Sequence, residues 1–212
     1  MAAAAPWVQD EAGFYTQLSF ARETVNGFDG QRTKLYGEYG LNGEWTATAS
    51  IERVEYPDGS DFNTTGWRAT LRRPLLRYKS IQWSLEGGAL HGAAIGGRNG
   101  CEALGGELRT GLGWSANWRN RSAYMFGEIA TRQHEGCRRE RFEYGFGVET
   151  RERIWSITQI WLERGQRNAP SDKFQSEILW RTDLIDVSLG YRKENGGRFE
   201  EEAVFMAFAR QY

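Results

Sequence analysis

The chain has 212 residues, with 27 lysines and arginines against 28 aspartates and glutamates, a size suited to one domain and a balance that leaves no basic field. Nucleic-acid binding is disfavoured because no excess of cations is available to neutralise phosphates. No run approaches the roughly 18 apolar residues of a spanning helix, whereas nine Trp, nine Tyr, eleven Phe, 26 Gly and only four Pro suit strands.

The chain opens Met1-Ala2-Ala3-Ala4-Ala5-Pro6, which reads either as the small-residue tail of a signal-peptide cleavage region or as an arbitrary Ala-rich terminus. On the first reading the protein is exported through a cleaved signal peptide. Residues 1–12 then form a periplasmic segment ahead of a single domain spanning 1–212.

From Phe14 onward the dominant signal is a period of two, which sorts side chains onto opposite faces of a strand. Phe14, Thr16, Leu18 and Phe20 oppose Gln17 and Ser19; Leu35, Tyr39 and Leu41 oppose Lys34 and Glu38. Trp45, Ala47, Ala49 and Ile51 alternate with Thr46, Thr48, Ser50 and Glu52, and Trp67, Ala69 and Leu71 with Arg68, Thr70 and Arg72. Ile81, Trp83 and Leu85 oppose Gln82, Ser84 and Glu86, and Leu108 to Trp118 on even positions oppose Glu107, Arg109, Ser115 and Asn117.

Further along, Met125 and Ile129 oppose Glu128, and Phe142, Tyr144, Phe146 and Val148 oppose Glu143, Gly145, Gly147 and Glu149. The segment from Ile154 to Glu163 reads as a strand whose register stays open, because Trp155 and Trp161 share parity with Gln159 while Ile160 and Leu162 lie opposite. Phe174, Ile178 and Trp180 then oppose Lys173, Gln175, Glu177 and Arg181. Val187, Leu189 and Tyr191 oppose Asp186, Ser188 and Arg192. Val204, Met206, Phe208 and Tyr212 oppose Ala203, Ala207 and Gln211.

These segments approach the roughly 9 to 11 residues that a tilted strand needs to cross a bilayer. The connections at Asn42-Gly43, Arg77 to Ser80, Arg119 to Ser122, Arg151 to Arg153 and Thr182-Asp183 read as tight turns. Those at Asn26 to Gln31, Tyr56 to Thr65, His91 to Gly105, Gln133 to Arg138, Gly165 to Asp172 and Lys193 to Arg198 read as longer loops. The pattern predicts an all-β, transmembrane, antiparallel up-and-down barrel of about 12 strands, with short periplasmic turns and longer extracellular loops. Trp45, Trp83, Trp118, Trp155, Trp180 and Tyr212 then fall near the periplasmic rim as an aromatic girdle.

The C-terminus, with Val204, Met206, Phe208 and the terminal Tyr212, resembles the last-strand signal of bacterial outer-membrane β-barrel proteins, and the architecture is porin-like along the whole chain. Arg210 stands where that signal has an apolar or aromatic residue, at a depth where its guanidinium reaches the lipid phosphates. The resemblance implies an outer-membrane location, contact with outer-membrane lipids and lipopolysaccharide, and assembly by the barrel-insertion machinery. It matches no particular family and does not identify a solute.

Charges on a lipid face near midplane cost about 2–4 kcal/mol, so the charged face should line the lumen. The set comprises Lys34, Glu38, Glu52, Arg68, Arg72, Glu86, Glu107, Arg109, Glu128, Glu143, Glu149, Glu177, Arg181 and Arg192. It reads as a narrow channel for small hydrophilic solutes or as a plugged interior of paired charges, the latter suiting a structural barrel or one that binds an envelope partner. A lumen dedicated to acidic sugars would be richer in arginine than this balanced set.

Cys101 and Cys137 fall in two loops of the same rim, which predicts a disulfide, with free thiols as the alternative. No ligand spacing joins them to His91 or His134, so no metal is expected, and no cofactor motif occurs. An outer-membrane lipid-modifying enzyme is the less favoured reading, resting on His134, Glu135, Asp58 and Asp61 in loops without a recognised constellation. A soluble barrel with the aromatic face turned inward is the rival fold, opposed by strand length and the terminal aromatic.

Overall fold

Alternation at this length allows strands that bury one face and leave the other apolar, and the computed structural model contains such strands throughout. It describes residues 6–58, 63–92, 103–118, 121–166, 170–196 and 200–212, with Trp118 described by its backbone alone. The strands are β1 (Phe14–Val25), β2 (Phe28–Gly40), β3 (Thr46–Glu55), β4 (Thr64–Tyr78), β5 (Ile81–His91) and β6 (Gly105–Trp118). They continue as β7 (Arg121–His134), β8 (Cys137–Arg151), β9 (Ile154–Gly165), β10 (Ser171–Trp180), β11 (Asp186–Asn195) and β12 (Glu200–Gln211).

Each strand pairs antiparallel with its sequence neighbours, and β12 pairs with β1 to close a twelve-stranded barrel. Closure satisfies the backbone groups of both terminal strands and leaves no free edge. Tyr212 and Phe14 exchange backbone hydrogen bonds of 2.7 and 3.2 Å, so the start of β1 and the end of β12 lie at one rim, called here the terminal rim.

The outer wall is an apolar belt: Leu18, Phe20, Leu35, Ile51, Leu71, Leu85, Leu108, Ile129, Phe142, Ile178, Leu189 and Val204 are all exposed. A continuous apolar band around a closed barrel is the surface of a membrane-spanning protein, since water would leave it uncompensated. The inward-aromatic soluble alternative is thereby overturned.

Two expected loops are turns. Asn26-Gly27 and Glu135-Gly136 each join strands through two residues, with φ of 50° at Asn26, 87° at Gly27 and 65° at Gly136. Asn-Gly is suited to this left-handed turn, so the polar residues after it pair as strand rather than extending a loop. At the terminal rim, conversely, 41–45 and 181–185 lie between strands, so the two rims differ less in loop length than the sequence pattern implies.

The N-terminal segment is the main correction to the domain layout. Pro6 is fully buried and Trp7 packs on Tyr124 and Phe126, whose side chains point into the barrel. Residues 6–10 therefore enter the lumen rather than standing outside it; residues 1–5 lie outside the described residues.

Candidate functional site

The inner face of the strands builds the candidate site. On the side away from the termini, Arg32 donates from Nε to Glu23 at 2.6 Å and from Nη1 to Glu52 at 2.5 Å. Arg192 reaches Glu201 at 2.5 Å and Glu23 at 2.8 Å, and the Tyr56 hydroxyl also donates to Glu23. Glu23, Arg32 and Glu201 come from β1, β2 and β12, so this cluster fastens the closing seam of the barrel.

A second cluster centres on Arg72, which donates to Glu86 at 2.7 Å and Glu38 at 3.0 Å. Thr70 also donates to Glu86, at 2.6 Å, as does Arg68, and the Tyr36 hydroxyl donates to Glu38. In the third cluster Arg109 donates to Glu128 at 2.6 Å and Arg132 to Glu107 at 2.5 Å. Glu163 gathers Arg132, Arg141 and Arg139 at 3.6, 3.5 and 3.7 Å. Arg68, 3.5 Å from Glu107, links the second cluster to the third. Breaking a buried pair by removing one partner costs about 3–5 kcal/mol, so these networks fix the arrangement more than they add net stability.

The N-terminal segment occupies the terminal-rim half of the same wall. Arg72 donates from Nη1 to the Trp7 carbonyl at 2.8 Å, and Gln82 donates to the Pro6 carbonyl at 2.8 Å. Gln9 donates its backbone N–H to Thr46 at 2.8 Å and its side-chain amide to Glu38 at 2.5 Å. The Trp7 ring meets Tyr124 and Phe126 edge-on, at centroid distances of 5.6 and 6.2 Å. Glycine makes the room: a Cβ at Gly113 would sit 2.8 Å from Pro6 and 2.9 Å from the Trp7 ring.

The rest of the inner wall borders a cavity. A polar cavity of about 300 Å³ is lined at one end by Tyr15, Leu179, Asp186 and Ala209 and at the other by Gly66, Trp67, His91 and Gly92. Between these ends its wall includes Gln17, Ser19, Lys34, Gln159, Gln175 and Ser188. Tyr15, Asp186 and Ala209 lie near the terminal rim, and His91 ends β5 at the other, so the cavity follows the length of the barrel.

Of the residues expected in the lumen, Glu38, Arg72, Glu86, Glu107, Arg109, Glu128 and Glu143 are buried inside the barrel. Lys34, Glu52, Arg68, Glu177 and Arg192 line the cavity. Glu149 instead anchors a turn, accepting the Ser122 and Arg153 backbone N–H groups at 3.2 Å each. Arg181 lies over the Trp155 ring at 4.8 Å.

Trp83, Trp180 and Tyr212 are exposed and Trp45 is half-buried, and Arg73 and Arg210 cap the Trp45 and Tyr212 rings at 5.5 and 4.4 Å. Trp155 is a correction to the girdle. It is 6% exposed and packs inward with Tyr124, Phe126 and Ile157. Its register partners are Glu149 and Leu179, which sets Trp155, Ile157, Gln159, Trp161 and Glu163 on the inner face of β9. The Trp118 side chain lies outside the described residues.

Sequence reasoning missed Glu23, Arg32, Arg132, Arg139, Arg141, Glu163, Glu194 and Glu201 as inward charges. Arg32 shares the parity of Lys34, so extending the alternation outward would have found it, whereas Glu163 lies on β9, whose direction only its pairing sets. Of the catalytic candidates, His134 is buried with Nδ1 2.7 Å from the Ala103 carbonyl, and the His91 ring stacks on Trp67 at 6.4 Å. Asp61 lies outside the described residues, and no group among the described residues could hold a metal ion.

An apolar outer wall around a charged, partly filled interior defines a transmembrane β-barrel of porin-like architecture. Similar solved structures include a KdgM porin, with a TM-score of 0.61 and 7% identity over 91% of this chain and 98% of that one. LpxR from Salmonella typhimurium matches with a TM-score of 0.58 and 8% identity over 92% and 99%. An outer-membrane channel from Pseudomonas putida F1 matches with 0.57 and 10% over 100% and 99%. At these identities the likeness is one of fold. Neither a protein-family model nor a curated protein matches the chain.

Proposed function

We propose that this chain is an outer-membrane barrel acting as a narrow diffusion channel for small hydrophilic solutes, with its path through the polar cavity inside the barrel. The carrying observation is the polar cavity whose lining residues come from both ends of the barrel. Channel-forming proteins of the outer membrane among the similar structures support the location and the class. In this reading the terminal rim faces the periplasm, and the closing strand β12, ending in Phe208 and Tyr212, is what the insertion machinery engages.

The N-terminal segment and the ion-pair clusters favour a second reading, a plugged scaffold that binds an envelope partner through its loops. Single-channel recording of detergent-refolded protein in planar bilayers separates the two. Steady, voltage-tolerant steps support the channel. A barrel that is folded by heat-modifiability yet silent supports the scaffold.

The Cys101–Cys137 bridge belongs to the same proposal. Cys137 is buried and is not a free thiol, while Cys101 lies outside the described residues. An exported barrel forms such a bridge in an oxidising compartment. Non-reducing peptide mass spectrometry is expected to find the linked pair, and two alkylatable thiols in protein isolated from membranes would reject it.

A further inference from the structure

Most cations of the lumen pair with its carboxylates, but several donors that face the cavity, Nε of Arg109 among them, have no acceptor among the described residues. Lys34 lies across from Glu52 in the β2–β3 register and is not within ion-pair distance of any carboxylate among the described residues. The indole N–H of Trp161, a residue 8% exposed, and the Nε–H of Arg141 also have no acceptor. Lys34, Trp161 and Arg141 line the same cavity.

The neighbouring carboxylates are already engaged. Glu52 pairs with Arg32 at 2.5 Å, Glu143 with Arg141 at 3.2 Å, Glu194 with Lys173 at 2.5 Å, and Glu163 with three arginines. Glu177 is the exception: it lines the same cavity, forms no ion pair among the described residues and lies two positions beyond Gln175 toward the terminal rim. The Trp161 ring is itself held, with Arg141 and Lys173 over it at 5.5 and 5.9 Å.

An ammonium and two N–H groups are donors only, so the complement of this pocket is an acceptor, and an anionic acceptor satisfies the lysine best. Gln17, Ser19, Gln159 and Gln175 line the same cavity with neutral groups able to bond hydroxyls. We propose that this stretch of the lumen is a binding site for the carboxylate or phosphate of a small hydroxylated solute, with Lys34, Trp161 and Arg141 as its donors. The proposal rests on the reading of the cavity as a solute path.

Binding is measured by titration calorimetry on refolded protein in detergent, each variant first shown to be folded by heat-modifiability. The probes are gluconate against sorbitol and glucose 6-phosphate against glucose, so that carboxylate, phosphate and neutral polyol are separated. At least one charged probe is expected to bind saturably and about tenfold or more tighter than its neutral counterpart. Lys34→Met should abolish that preference. Trp161→Phe, which removes one N–H and keeps the ring, should weaken the charged probe by a smaller factor. Lys79→Met, in the exposed β4–β5 turn, should leave binding unchanged.

Equal affinity for charged and neutral probes, no binding of either charged probe, or an unaltered preference in both lumen variants overturns the site. Conductance is scored separately in bilayers. A conducting barrel that ignores both anions keeps the channel reading and loses this site, whereas a silent barrel that binds gluconate through Lys34 does the reverse.

Discussion

The two sides of the lumen carry the same alternation and yet end differently. Along β4 to β7 the inner positions hold Arg72, Glu86, Tyr124, Phe126 and Glu128, and the N-terminal segment lies against several of them. Along β11, β12 and β1 several inner positions hold small residues, Ser188, Ala207, Ala209 and Ser19, and these line the cavity together with Arg192, Glu194 and Phe205. Both sides are polar enough for water, and both sit behind the same apolar belt. Side-chain volume, more than charge, therefore decides which side of a barrel this size is filled.

The largest effect on this comparison should come from Arg72→Met. The substitution removes the buried guanidinium that Glu38 and Glu86 share, leaving each only part of its donors, and removes the donor to the Trp7 carbonyl. Urea unfolding of refolded protein is expected to show a loss of about 3–5 kcal/mol. A loss within experimental error would mean that the clusters do not hold the β4 to β7 side together.

Ala207→Trp tests the cavity side by making it resemble the other. Ala207 is buried against the cavity, so an indole there should fill the path and cut single-channel conductance sharply. Overpacking is expected to lower stability by only about 1–3 kcal/mol. Unchanged conductance would place the path elsewhere.

Trp7→Ala should give the smallest effect. The ring is only partly buried, so the stability loss should fall below the roughly 3–5 kcal/mol of a fully buried aromatic. Conductance should rise slightly, because Arg72, Arg109 and their partners still obstruct that side. A rise to the level of a freely open barrel would show that the segment alone does the sealing.

Much of this arrangement is legible in the chain. The period of two from Phe14 to Tyr212 is sufficient for strand identity, for the lipid-facing belt of Leu35, Ile51, Leu108 and Ile129, and for the inward direction of Arg72 and Glu128. Those properties are local: each depends on a residue's parity within its own strand and on the cost of a charge in lipid. Asn26-Gly27 is equally local, and its two-residue turn follows from the dihedral preference of that dipeptide.

Trp155 was not legible, because β9 carries large apolar residues on both faces and only its pairing with Glu149 and Leu179 sets its direction. Nor was the path of Pro6 and Trp7, whose trench is assembled from Arg72, Gln82, Gly113, Tyr124 and Phe126 on four strands. Alternation, which acts residue by residue, is enough for a barrel with one apolar face and one charged face. Where the N-terminal segment packs, and which inner residues border the cavity beside Lys34, follows from the folded barrel alone, because both depend on side chains meeting across the lumen from strands far apart in the chain.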